Sequence, residues 1–98
     1  MAIRILIKRK VPENKARQIL PLFKQMRQMA TVQEGYISGE TMRNCDDPEE
    51  FLIISTWQSI ADWENWLKSP TRQSTQAQID ALLGGKTHYE AFHYGFTE

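Results

Sequence analysis

The stretch from Glu50 to Trp57 constrains the fold more than any other part of the chain, because it is apolar on both sides. Side chains alternate across a strand, so Phe51, Ile53 and Trp57 point one way and Leu52 and Ile54 the other. Each face then needs a cover. A chain of 98 residues buries only part of the surface that its unfolded form exposes, and a bare apolar sheet face would leave it marginal. Two helical regions can cover one face of a four-stranded sheet. The simplest cover for the other is an identical sheet from a second copy, packed across a two-fold axis. The pattern alone therefore predicts a homodimer.

The remaining elements follow from changes of period. Residues 2 to 11 alternate as a strand, with Ile3, Ile5 and Ile7 on one face and Arg4, Leu6 and Lys8 on the other. Pro12 ends it. From Glu13 to about Thr31 the apolar residues Ala16, Ile19, Leu20, Phe23, Met26 and Ala30 share one helical stripe. Pro21 interrupts that stripe and predicts a kink, or two shorter helices. Tyr36 to Arg43 and Glu50 to Trp57 form a hairpin around the turn formers of residues 44–48. Ser59, with Asp62 three residues on, starts a helix carrying Ile60, Trp63, Trp66 and Leu67. Ser69-Pro70 restarts the chain as a helix through Ile79, Leu82 and Leu83, which Gly84-Gly85 ends. Lys86 to Phe96 supplies an aromatic-rich last strand. The order β, α, β, β, α, β predicts an α+β, ferredoxin-like sandwich formed by residues 1–98 as a single domain.

Twelve basic and twelve acidic residues cancel, so the chain lacks the broad positive field that nucleic acid or an anionic membrane would need. Neither is expected as a partner. The RNA-binding domains that share this element order carry an aromatic signature on their central strands, which is missing here. The N-terminal apolar run gives way to Lys8-Arg9-Lys10 after a few residues and reads as a strand, not as a leader. No run is long enough to span a bilayer. The lone Cys45, in a polar turn, is expected to be a spectator thiol, and one cysteine fits a reducing cytoplasm. The Asp46-Asp47 and Glu49-Glu50 carboxylates read as a solvated cluster without calcium-loop spacing.

Three segments, Gly35-Tyr36-Ile37-Ser38-Gly39-Glu40, Ile54-Ser55-Thr56-Trp57-Gln58-Ser59 and Trp63-Glu64-Asn65-Trp66-Leu67-Lys68-Ser69-Pro70, together resemble the antibiotic biosynthesis monooxygenase domain over nearly the whole chain. The resemblance implies a dimeric α+β barrel with a pocket between sheet and helices in each subunit. It also implies a small monooxygenase acting on an aromatic, polyketide-phenol or quinol-type substrate with molecular oxygen, without a bound cofactor or metal. Haem-degrading relatives use an asparagine on the first strand and a histidine beyond the helical tryptophan. Here those positions hold Ile7 and Gln76, so haem degradation is disfavoured and no axial ligand is evident.

Oxygen in its ground state accepts electrons singly, so an oxygenase of this kind needs a substrate that can supply one, and a protein that binds, deprotonates and desolvates it. The resemblance places a catalytic tryptophan at Trp66. Trp63, Tyr36 and Tyr94 are candidate substrate-binding residues, ring walls or polar contacts, although Trp63 on an amphipathic helix equally suits the core. His88 and His93 differ by an odd number and point to opposite faces of a strand, so they cannot chelate one metal. His93, which shares a face with Tyr89 and Ala91, is the candidate catalytic base. A non-catalytic small-molecule-binding dimer is the alternative reading.

Overall fold

The computed structural model describes residues 2–95. Its elements run β1 (Ile3–Lys10), a single 3-10 turn (Glu13–Lys15), α1 (Ala16–Ala30), β2 (Tyr36–Arg43), β3 (Glu50–Trp57), α2 (Ile60–Leu67), α3 (Pro70–Leu83) and β4 (Glu90–His93). The strands form one antiparallel sheet in the order β2-β3-β1-β4. This is the split arrangement of the ferredoxin-like fold, in which β1 and β3 are central and each helical connection crosses one strand.

Register follows the side-chain pattern. Ile3 pairs with Trp57, Ile5 with Ser55 and Ile7 with Ile53, so the odd-numbered residues of both central strands lie on one face. That face meets the helices. Ile3, Ile5 and Trp57 pack with Ala30, Trp63 and Trp66 in one cluster, while Val11, Ile19 and Phe51 form a second near the start of α1. The opposite face carries Leu6, Leu52 and Ile54, with Met42 and Phe92 each 52% exposed.

Residues Ala16 to Ala30 form one continuous helix despite Pro21. The proline is exposed, so the carbonyl it leaves unbonded can turn to solvent. Ile19 and Phe23 on either side anchor the helix against Val11 and Phe51. The last strand is shorter than the aromatic run suggests. β4 pairs with β1 only from Ile3 to Leu6, because the approach to it is engaged elsewhere: Arg9 donates to the carbonyls of Gly85 and Lys86, at 3.0 Å each. Phe96, to which the sequence extends the strand, lies outside the described residues.

Local chemistry sets the helix ends. The Ser59 hydroxyl accepts from the Asp62 amide at 3.1 Å and donates to the Asp62 carboxylate at 3.0 Å. This fixes the start of α2 and hence the direction of Trp63 and Trp66. Gly84 ends α3 with φ of 72°. Gly35, with φ of +84°, lies so close to α2 that a Cβ there would sit 2.1 Å from Asp62 Oδ2. Gly35→Ala therefore faces both a left-handed backbone and a collision with the helix cap. It is expected to lose about 1–3 kcal/mol of stability, read as a lower midpoint in urea denaturation, whereas a midpoint unchanged from wild type would contradict the clash.

Candidate functional site

Between the helix-facing side of the sheet and the helices lies a cavity of about 90 Å³. Its walls come from distant parts of the sequence: Ile7 and Ile53 from the strands, Phe23 and Met26 from α1, and Trp57, Trp63 and Trp66 from the end of β3 and from α2. The wall is chiefly apolar. A few polar groups converge on it, which is the usual composition of a small-molecule site.

Trp66 is 4% exposed and lines the cavity, so its ring is committed to the interior. Trp63 lies beside it in the core and also borders the cavity. The two readings of Trp63, core and wall, are thus compatible. Tyr36 meets Trp57 edge-on at 5.4 Å, and Trp57 meets Trp63 at 5.9 Å, which makes a continuous aromatic wall. Gly39 helps place Tyr36, since a Cβ at that position would stand 2.6 Å from the phenol oxygen. A bulge at Ile37, between Tyr36 and Ser38, lets Tyr36 and Gly39 share the cavity side of β2.

The other two candidate residues lie elsewhere. His93 pairs with Ile3 at the start of β1 and borders a separate, more open depression with Ser59, Ile60 and Phe92. Tyr94 is 56% exposed and lies outside both concavities. His88 is exposed as well. The cavity therefore contains no histidine among the described residues. Among those residues no three His, Cys, Asp or Glu side chains gather in a metal-holding arrangement, and no helix is long and apolar enough to cross a membrane.

Part of the polar lining of the cavity comes from α3, which carries no candidate residue, while Arg9, Arg27, Glu40 and Thr41 border it from other elements. Arg72, Thr75 and Ile79 are buried on one stripe of that helix, and Arg72, Gln76, Ile79 and Thr87 all line the cavity. The Gln76 amide donates to Thr87 Oγ1 at 2.7 Å and to Asp80 Oδ1 at 2.9 Å, and the Thr87 hydroxyl donates to the same carboxylate oxygen at 2.7 Å. Arg9 approaches Asp80 at 3.6 Å. Arg72 Nη2 donates to the Tyr89 hydroxyl at 2.7 Å and to Gln76 Oε1 at 3.3 Å. Its guanidinium also stands 5.4 Å from the Trp63 ring centre and 5.0 Å from that of Tyr89. Such ring contacts contribute about 0.5–2 kcal/mol each, against a desolvation penalty of several kcal/mol for a buried ion. A signal for the α3 lining was present in the sequence: positions 72, 75, 76 and 79 continue the inward stripe of Leu82 and Leu83 at helical spacing, yet three of them are polar.

The fold is shared with several solved structures. A conserved protein from Methanosarcina mazei superposes with a TM-score of 0.87 at 18% identity, over 95% of this chain and 92% of that one. SnoaB, a cofactor-independent oxygenase from Streptomyces nogalater, gives 0.84 at 14% identity, over 98% and 95%. A protein from Mycobacterium tuberculosis gives 0.84 at 14% identity, over 100% and 98%. Among curated proteins none matches the sequence. At these identities the structures establish a common architecture, while the sequence itself carries the assignment. Because the antibiotic biosynthesis monooxygenase family model matches residues 2–78, most of the chain, this protein belongs to the antibiotic biosynthesis monooxygenase family.

Proposed function

We propose that the protein is a small monooxygenase that takes an aromatic, polyketide-phenol or quinol-type substrate into the cavity and lets it react with molecular oxygen, without a resident cofactor. The observation that carries this reading is the cavity itself, walled by Trp57, Trp63 and Trp66 and chiefly apolar, with a few polar groups from α3, Thr87 and β2 at its margin. An electron-rich ring stacked against those indoles would be withdrawn from water. Desolvation favours electron transfer from the substrate anion to oxygen, since the anion loses the hydration that holds its charge. Trp66 is the proposed catalytic residue, with Trp63 and Tyr36 as binding walls. Haem degradation remains disfavoured, because Gln76 supplies an amide where those relatives carry an imidazole, and that amide is already bonded to Asp80 and Thr87.

One observation favours a second reading, a non-catalytic small-molecule-binding protein: neither His88 nor His93 borders the cavity, so no imidazole stands ready to take a substrate proton. Oxygen uptake against a panel of hydroquinones and polyketide-like phenols separates the two. The oxygenase reading expects uptake above the buffer's own oxidation rate, reduced about ten-fold or more in folded Trp66→Ala. Ligand binding with no uptake anywhere in the panel would favour the binding protein. We also propose a homodimer, with the Leu6, Leu52 and Ile54 face of each sheet covered by that of the partner.

A further inference from the structure

Arg72 is 3% exposed, and its Nε is buried with no hydrogen-bond partner. Two other arginines share the second property, but each has a carboxylate: Arg4 meets Glu40 at 3.0 Å and Arg9 approaches Asp80 at 3.6 Å. Arg72 has none within ion-pair distance among the described residues. Its neighbours are neutral: the Tyr89 hydroxyl, the Gln76 amide oxygen and two aromatic rings. A guanidinium is a permanent cation, so among the described residues Arg72 is a buried charge without a carboxylate partner at the wall of a chiefly apolar cavity.

We infer that Arg72 is an anion-binding residue, and that the cavity takes an aromatic ligand bearing one anionic oxygen group, a carboxylate or an ionised phenol. The ring would lie against the tryptophan wall and the charged oxygen against the guanidinium, whose rigid fork of donors suits a planar oxyanion. The inference rests on reading the cavity as a small-molecule site and narrows its ligand class. It also answers the lack of a histidine there. A cation beside the substrate oxygen stabilises the ionised form, so a phenol would lose its proton to water more readily without a dedicated protein base. The ring contacts of Arg72 do not remove the need for an anion, because at about 0.5–2 kcal/mol each they offset only part of the several kcal/mol that burying the guanidinium costs.

Calorimetric titration of the whole protein with 2-naphthoate and its neutral isostere 2-naphthamide tests this. Wild type is expected to bind naphthoate about ten- to a hundred-fold more tightly than naphthamide. Arg72→Met should bind both alike, and Arg72→Lys should restore part of the preference. 4-Nitrophenol, titrated on either side of its own ionisation, distinguishes a site that accepts phenolates from one that requires a carboxylate. A wild type that binds naphthamide as well as naphthoate, and neutral nitrophenol as well as its anion, would overturn the inference and leave the cavity reading intact. If none of the probes binds, both fall. The melting temperature without ligand is the second readout, independent of binding. A cation kept for a ligand can be replaced by methionine with no loss of stability, or with a gain. A clear loss in Arg72→Met, with the naphthoate preference unchanged, would assign Arg72 a structural role and overturn the proposal.

Discussion

Trp57→Ala is expected to lose about 3–5 kcal/mol of stability, a large share of the roughly 5–15 kcal/mol available to a domain of this size. Trp57 has no exposed surface, and it ends β3 where three elements meet. It pairs with Ile3 on one side and Tyr36 on the other, and its ring is flanked by those of Tyr36 and Trp63. Its indole N–H donates to Ser55 Oγ at 3.0 Å, so truncation also leaves that hydroxyl without a donor. The surrounding groups are held by a sheet and by a capped helix and cannot collapse into the space. The loss should exceed the transfer free energy of the ring alone. Urea denaturation at matched protein concentration reads the effect. A loss under about 1 kcal/mol would mean that the site repacks and that the aromatic wall is not rigid.

Leu6→Asp should separate the proposed dimer into folded monomers. Wild type at low micromolar concentration is expected to sediment at about twice the 11.4 kDa chain mass. Leu6 lies on the central strand β1, on the face away from the helices, paired with Ile54 and Glu90. A sheet-to-sheet dimer would bury a carboxylate there without a dedicated partner, at several kcal/mol, and so weaken association by about 100-fold or more. The helix-facing core is untouched, so far-ultraviolet circular dichroism should not change. A wild-type mass of one chain would defeat the dimer, and a Leu6→Asp protein that still sediments as wild type would place the interface elsewhere.

The separation of roles along α2 shows how far local pattern reaches. Ser59 and Asp62 announce the helix start, and the three-residue spacing of Trp63 and Trp66 puts both rings on its inner face. What they border is a non-local matter. Ile7, Met26, Trp66 and Thr87 come together only when β1, α1, α2 and the segment before β4 assemble, and no spacing rule links them. His93 makes the same point from the other side. Its face was legible from its parity with Tyr89 and Ala91, but the pairing of His93 with Ile3 sets it at the end of the sheet, away from the cavity.

The element order, the two apolar faces of β3, the capped start of α2 and the glycine stop of α3 are all legible in the amino-acid sequence. Each of these depends on side-chain period or on contacts a few residues apart. The length of β4, the continuity of α1 through Pro21 and the polar lining that α3 gives the cavity depend on contacts made only in the folded chain. Arg9 reaches across to Gly85 and Lys86, Ile19 and Phe23 are held by β3, and Arg72 finds Tyr89 seventeen residues on. A polar residue on the inner stripe of a helix has two outcomes, a satisfied core network or a ligand contact. The difference between them is the set of partners that folding brings within hydrogen-bond distance.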